Sequence, residues 1–371
     1  MNRDSHYYAV LAFARACGFN KPSALTIGYA SQFVDDAKIN LMFIDNPVKG
    51  IDHDIVENRP AFFNMATCHS YFRIKTFNYE AMANSTIPFH FAPGCKGENF
   101  TRKLRCREDS PLILDILNDA LLENDIIKLG IVLHPYADTF THQGFSGMLS
   151  KVNDIRNCEA KTEAYLGAID KFLYVFKQFS QDEYDALFDH IMPAYGHAQA
   201  LDFPDIPHLV WSYEYDCSGQ FSCAYKTVEI DNRDRFKRAF HSIKRHLQLY
   251  LAKHHEYADR RLKFKNFDVL MDTILFEASD ENREENWLKV LIDLGLFNAN
   301  ERNLIVYREN KWPEEAFSNF DPEAFDGQVV GGVQLAPDFP ASHWYRFYLS
   351  VKWYKKKFFE YCAKYQLSIL N

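Results

Sequence analysis

A chain of 371 residues with 47% hydrophobic and 16% aromatic content can bury a large core, which excludes intrinsic disorder and leaves room for one large domain or two. Its 42 basic against 50 acidic residues give a formal charge of −8, which offers no electrostatic footprint for duplex nucleic acid and no polybasic membrane anchor. The 8 cysteines, at 17, 68, 95, 106, 158, 217, 223 and 362, form no CxxC pair, so a zinc ribbon or thioredoxin-like motif is excluded and reduced thiols are expected.

At the N-terminus, MNRDSHYYAVLAFARACGF places Asp4 and Arg15 around a short apolar run, unlike a secretion signal. No uncharged apolar run reaches the roughly 18 residues of a membrane span. A soluble, cytoplasmic protein made without a cleaved leader is expected. Residues 7–17 and 22–37 read as two helices, separated by Gly18 and restarted at Lys21-Pro22. The second ends in Asp35-Asp36, an acidic pair that is either a solvated helix end or part of a site. Residues 38–66 carry Asn46-Pro47, Lys49-Gly50 and Arg59-Pro60 and read as irregular loop or short strands. His69 follows, then an amphipathic stretch over 70–84, then Ile87-Pro88-Phe89-His90-Phe91-Ala92-Pro93-Gly94, a rigid turn bearing a histidine.

A helix is predicted from Pro111 to Asp125, and a central one from Asp125 or Ile126 to about His142. The second contains LGIVLHPYADTFTHQGFSG, where His134, Asp138 and His142 recur every four residues. Neighbours four apart on a helix lie about 6 Å apart along the axis and about 40° apart around it, so their side chains converge. His134 and His142 lie about 12 Å apart, too far for bonds of about 2.0–2.1 Å to one ion. If all three ligate, Asp138 bridges two ions. Pro135 removes a helical donor and predicts a kink or a break beside His134.

Further helices are expected over 159–178, 181–194, 232–256, 266–279, 284–297 and 340–366. Between them Tyr195–His208 forms a Pro-punctuated turn carrying His197, Asp202, Asp205 and His208. The 232–256 segment, with His241, His246, His254 and His255, reads as a solvated helix. The last, rich in Trp, Tyr and Phe, is expected to dock its rings on the core and expose its lysines. Strand-like alternation is scarce, so the expected fold is mainly α: a single large helical domain around a metal-bearing helix, with residues 1–230 forming the metal-binding part and 231–371 a helical extension packed on it.

The candidate ligands are His6, Asp35 or Asp36, His69, His134, Asp138, His142, His197 and Asp202 or Asp205. A set of His and Asp without cysteine suits zinc or a similar divalent ion, and its size calls for a multinuclear site in which a bound ion lowers the pKa of a water toward about 7.

In this order the residues resemble the all-α zinc-dependent phospholipase C and single-strand nuclease superfamily, whose members hold three zinc ions. HYYAVLAFARACGF, ASQFVDDA, HPYADTFTHQGFSG and GHAQALDFPDIP look like an uncharacterised bacterial branch of it, over roughly residues 4–215. The resemblance implies one zinc on Asp35, His69, His134 and Asp138, a second on His142, His197 and Asp205 or Asp202, and a third on His6 and the other oxygen of Asp138. That superfamily's third zinc uses an N-terminal tryptophan, for which Asp4 is the stand-in here, and Leu201 occupies the position of its closing carboxylate. The implied activity is zinc-dependent hydrolysis of a phosphoester, in a small molecule or lipid, with Asp138 holding the ions and Asp36 orienting the attacking water. Two alternatives remain: a non-catalytic interaction protein braced by metal, and an HD-type phosphohydrolase using Asp52-His53-Asp54.

Overall fold

The computed structural model describes residues 1–68, 78–163, 171, 194–218 and 224–369. A π-helical segment, Asp4–Ala9, runs straight into α1 (Val10–Cys17), which Gly18 ends at φ 107. α2 (Lys21–Asp36) begins where the Asn20 side chain accepts from Ser23 N at 2.9 Å, with Pro22 in its first turn. That pairing satisfies an orphan N–H and places proline where no donor is needed. α3 (Pro111–Ala120) starts likewise at Ser110, and α4 (Ile126–Thr141) at Asp125, whose Oδ1 accepts from Ile127 N at 2.9 Å. α4 continues through Pro135 without a break, and every residue in it except Lys128 is buried.

α4 is the axis of the molecule. α2, α3, α5 (Asn232–Lys253) and α8 (His343–Lys364) pack around it, while α6 (Phe267–Ile274) and α7 (Asp280–Asp293) cover the N-terminal helices. Gly130 lets α2 cross close over α4: a Cβ there would lie 2.6 Å from Ile27 O and 2.7 Å from Ala30 Cβ. This approach brings the C-terminal turn of α2, with Asp35, over the turn of α4 that carries His134.

The expectation of a mainly helical fold is corrected. Of the described residues 52% are helix and 14% strand, and they form an α+β fold with two sheets. β1 (Leu41–Ile44), β2 (Asp54–Val56), β3 (Arg59–Phe63) and β7 (Val329–Val333) form one in the order β2-β3-β1-β7, with β1 and β7 parallel. β4 (Ile155–Ala160), β5 (Val210–Asp216) and β6 (Tyr225–Asp231) form an antiparallel second sheet. The physical reason is non-local pairing. Strands of three to seven residues carry little periodicity of their own, and β1 completes its hydrogen bonding with residues that lie far along the chain. Residues 159–160, expected to begin a helix, end β4 instead; most of the helices expected over 159–194 lie outside the described residues.

One hydrophobic cluster reaches from Met1 to Ile369, so the C-terminal helices share the core of the N-terminal ones. A smaller cluster around Trp211, Phe91 and Phe145 lies under β4–β6. α8 buries Trp344, Tyr345, Phe347 and Tyr348, as its aromatic face predicts. Its lysines do not all face water. Lys355 is buried and donates to Asn64 O at 2.7 Å, Asn64 Oδ1 at 3.0 Å and Ala66 O at 3.3 Å. Nor is α5 solvated throughout, since His246 is buried against the ring of Tyr136. Among the described residues no helix is long and apolar enough to cross a membrane.

Candidate metal centre

Five separate segments deliver side chains to one buried region beside α4. Asp35 comes from the last turn of α2, His90 from the short helix Ile87–His90, and His134 and Asp138 from α4, with His142 as its C-cap. His197 caps a 3-10 turn, Ala198–Ala200, and Asp205 closes the next, Phe203–Asp205. His6 projects from the N-terminal π-helical segment. α7 anchors that segment: Asp280 accepts from Asn2 Nδ2 at 3.0 and 3.1 Å, Glu284 pairs with Arg3 at 2.8 Å, and Arg283 donates through Nε to Asp4 at 3.0 Å.

The side chains fall into three groups, each with its ligand atoms within 4.8 Å of one another: Asp35, His90 and His134; His142, His197 and Asp205; His6, His134 and Asp138. Four of the five imidazoles have one ring nitrogen against a backbone carbonyl. His134 Nδ1 donates to Ser31 O, His142 Nδ1 to His90 O, His197 Nδ1 to Leu201 O and His90 Nε2 to Thr67 O, each at 2.8 Å. A carbonyl oxygen only accepts, so each of these nitrogens carries the ring proton and the other nitrogen presents a lone pair. Metal-ligating histidines are held by second partners of this kind. The Thr67 carbonyl is itself fixed, since Thr67 Oγ1 donates to Val34 O at 2.7 Å and Thr67 N to Ala37 O at 3.0 Å. Lys355 ties down residues 64–66 just before it.

The first group, with Asp138 added, has the shape of a coordination shell. His90 Nδ1 lies 3.3 Å from His134 Nε2, and both face Asp35 Oδ1 (3.7 and 3.5 Å) and Asp138 Oδ2 (3.6 and 3.4 Å). Bonds of about 2.0–2.1 Å to a tetrahedral ion set ligand-to-ligand edges of about 3.3–3.4 Å. Four lone-pair atoms at that spacing repel one another, and one shared proton satisfies a single contact among five. A cation at their centre answers all of them. The residues present fit a divalent ion.

Asp138 also serves the third group. Its Oδ2 faces His90 and His134, while its Oδ1 lies 3.1 Å from His6 Nε2 and 2.8 Å from the α-amino group of Met1. That amino group, buried, also stands 2.9 Å from Asp205 Oδ1. His6 stacks on His134 with ring centroids 3.7 Å apart, and its Nδ1 is buried without a hydrogen-bond partner among the described residues. In the second group His142 Nε2 lies 2.9 Å from Asp205 Oδ1 and His197 Nε2 lies 3.4 Å from Asp205 Oδ2.

The charges are mutually arranged. Burial works against the Asp138 carboxylate, but His142, the Met1 amine, His6 and His134 hold it well below the usual range; the Met1 amine, His197 and His142 do the same for Asp205. Burial works against the Met1 ammonium too, and Asp138, Asp205 and Asp35 outweigh it, raising it to about 11. Desolvation raises Asp35 to about 6, with His90 opposing and Asp138 adding, and it lowers His197 to about 4. His6 is pushed well below its ordinary value, mainly by burial and then by His134.

Of the residues singled out in the sequence, His6, Asp35, His134, Asp138, His142, His197 and Asp205 meet here. His69 lies outside the described residues. His90, which the sequence places only on a rigid turn, takes part in the first group, and neither its Pro-flanked turn nor its spacing distinguishes a ligand from a structural histidine. Asp4 turns away to Arg283 in a buried ion pair and belongs to none of the three groups. Asp36 accepts from Tyr307 and lines a separate cavity. Asp202 belongs to none of the three groups, and neither do Asp52, His53 and Asp54. Asp52 pairs with Lys352 at 2.9 Å and Asp54 accepts from Tyr348 at 2.9 Å. The His241, His246, His254 and His255 set likewise stays apart from them.

A family model described as Family of unknown function (DUF6765) matches residues 1–362, and the chain belongs to that family. No curated protein and no solved structure matches it.

Proposed function

We propose that this member of the family is a metal-dependent phosphoester hydrolase holding two or three divalent ions, zinc by the chemistry of its donors. The observation that carries the reading is the set of four carbonyl-locked imidazoles whose lone pairs converge on Asp35, Asp138 and Asp205. A donor set of neutral imidazole and carboxylate without thiolate suits zinc among the available divalent ions. The order of these residues along the chain also resembles the zinc-dependent phospholipase C and single-strand nuclease superfamily.

Asp35, His90, His134 and Asp138 would hold one ion, His142, His197 and Asp205 a second, and His6 with Asp138 Oδ1 a third. Such ions supply a hydroxide nucleophile near neutral pH and neutralise charge on a phosphoryl group. The chain's own contribution is to fix this constellation. The carbonyls of Ser31, Thr67, His90 and Leu201 fix the tautomer of the imidazoles and aim them. Asp138 draws two groups together through its two oxygens. Asp35, with its side chain 30% exposed against 1% for Asp138, marks the side open to a phosphoester. The second group offers three side-chain ligands, which leaves a position for water, the mark of a catalytic rather than a closed structural site.

The test is elemental analysis of protein purified without chelators, followed by hydrolysis of bis(p-nitrophenyl) phosphate and p-nitrophenyl phosphate before chelation, after it and after zinc return. Two or three equivalents of metal and chelator-reversible hydrolysis are expected. A chain that neither holds nor takes up metal overturns the metal centre. Full loading without hydrolysis of either ester overturns the catalytic reading and leaves a metal-braced interaction protein.

A further inference from the structure

Asp35 and Asp36 are consecutive on α2 and therefore point about 100° apart. Asp35 faces the metal centre. Asp36 faces a cavity of about 240 Å³ between the end of α2, the first turns of α8 and the 309–326 segment. Its walls are aromatic: Phe33 from α2, Trp344, Phe347 and Tyr348 from α8, and Phe320 and Phe325 from the loop. These rings brace one another. Phe33 meets Phe347 edge-on at 4.9 Å, Phe320 meets Phe325 at 4.8 Å, and Trp344 stacks with Tyr348 at 6.1 Å.

The polar groups of the cavity are mostly acidic. Asp36, Glu309 and Asp326 contribute carboxylates, and Lys38 is the one basic residue on the lining. Lys38 Nζ sits between two of the three, 3.0 Å from Asp326 Oδ1 and 3.4 Å from Glu309 Oε1. The cavity thus already places an ammonium among carboxylates at its rim, beside aromatic walls. None of these carboxylates belongs to a group with metal-ligand spacing among the described residues. Ring faces attract a cation whose charge is spread over methyl groups, and such contacts gain strength when water is excluded.

We propose that this cavity is a binding site for a small organic cation, a tertiary or quaternary ammonium seated on the rings of α2 and α8 and neutralised by Asp36, Glu309 and Asp326. In this arrangement Lys38 competes with the ligand for the same carboxylates. The site lies on a different face of α2 from the metal centre and stands whether or not that centre hydrolyses phosphoesters.

The experiment is calorimetric titration of the full chain with benzyltrimethylammonium, with tetramethylammonium as competitor and tert-butanol as its neutral counterpart, at pH 8. Saturable binding displaced by tetramethylammonium and indifferent to tert-butanol is expected. Glu309→Gln should weaken it about three-fold, and Lys38→Ala should tighten it about three-fold, on the scale of exposed charge pairs. Both substitutions are at the rim, and thermal melts confirm that each variant folds. No saturable binding, equal displacement by tert-butanol, or weaker binding in Lys38→Ala would each overturn the proposal, the last because Lys38 would then support the bound cation instead of competing with it. Metal content should be the same in all three chains.

Discussion

α4 and α5 both carry histidines that are buried and packed against aromatic or imidazole rings, yet only α4 builds a centre. His134 and His246 are 0% and 4% exposed, so depth does not separate them. Their surroundings do. His134 gives its ring proton to the Ser31 carbonyl and turns its other nitrogen toward His90, Asp35 and Asp138. His246 has its Nε2 3.3 Å from the Arg245 guanidinium and its ring edge-on to Tyr136. Burial, with Arg245 adding, lowers it to about 4. A buried histidine facing a cation is a neutral core residue. One that faces carboxylates, with its proton committed elsewhere, is placed to hold a metal ion.

Asp138 is where the comparison breaks most sharply. Its two oxygens belong to two groups, so Asp138→Asn removes an anion from both while keeping the shape of the side chain. Metal analysis of this variant should show the loss of more than one ion per chain. Loss of one ion or none would mean that a single group depends on it. An uncompensated buried charge or a lost partner in such a cluster costs about 3–5 kcal/mol, so the metal-free variant also reports whether the histidines and the Met1 amine depend on this carboxylate.

A paired substitution sharpens the contrast between the two helices' surroundings. His90→Ala removes a corner of the four-atom shell, whereas His246→Ala removes a buried ring whose Nε2 faces the Arg245 guanidinium. Zinc supplied at about 100 times its dissociation constant stabilises a folded chain by about 2.7 kcal/mol. That increment should persist in His246→Ala, although its baseline stability falls by about 1–3 kcal/mol. It should shrink or vanish in His90→Ala. Denaturant melts with and without zinc read both quantities. An intact increment in His90→Ala would show that the 3.3–3.7 Å spacing around His90 is packing alone.

What the sequence made legible follows physical range. The caps and starts of α2, α3 and α4 are local chemistry, in Asn20, Pro22, Ser110, Pro111 and Asp125, and the four-residue spacing of His134, Asp138 and His142 is helix geometry. The sheets were hidden because β1 pairs with β7, far along the chain, and neither strand has a pattern that names the other. The choice of Asp205 over Asp202 depends on which end of one 3-10 turn faces the centre, Asp202 being its N-cap and Asp205 its last residue. The part played by His90 depends on the carbonyl of Thr67, a backbone atom with no residue type to mark it. The Met1 amine is likewise a backbone group, delivered by Arg283 and Glu284 from the other end of the chain. Lys355 looked like one more exposed lysine of α8 and instead fixes the segment that orients His90.

The smallest expected effect separates the two consecutive carboxylates of α2. Burial raises Asp36 to about 7, with the Tyr307 hydroxyl opposing and Asp35 adding, whereas an unfolded chain ionises it near about 3.9. Between those values the folded state binds more protons, so the stability this side chain contributes falls as pH rises from about 4 to about 7, and above that the penalty of its buried charge is complete. Asn in its place keeps an oxygen for Tyr307 and carries no charge. In metal-free protein Asp36→Asn should therefore melt about 2–4 °C above the parent at pH 8, and the two should converge toward pH 4. Metal uptake should be unchanged, since Asp36 faces the aromatic cavity. A variant less stable at pH 8 than at pH 4 relative to the parent would mean that the carboxylate is held ionised, and a loss of metal would return Asp36 to the centre beside Asp35.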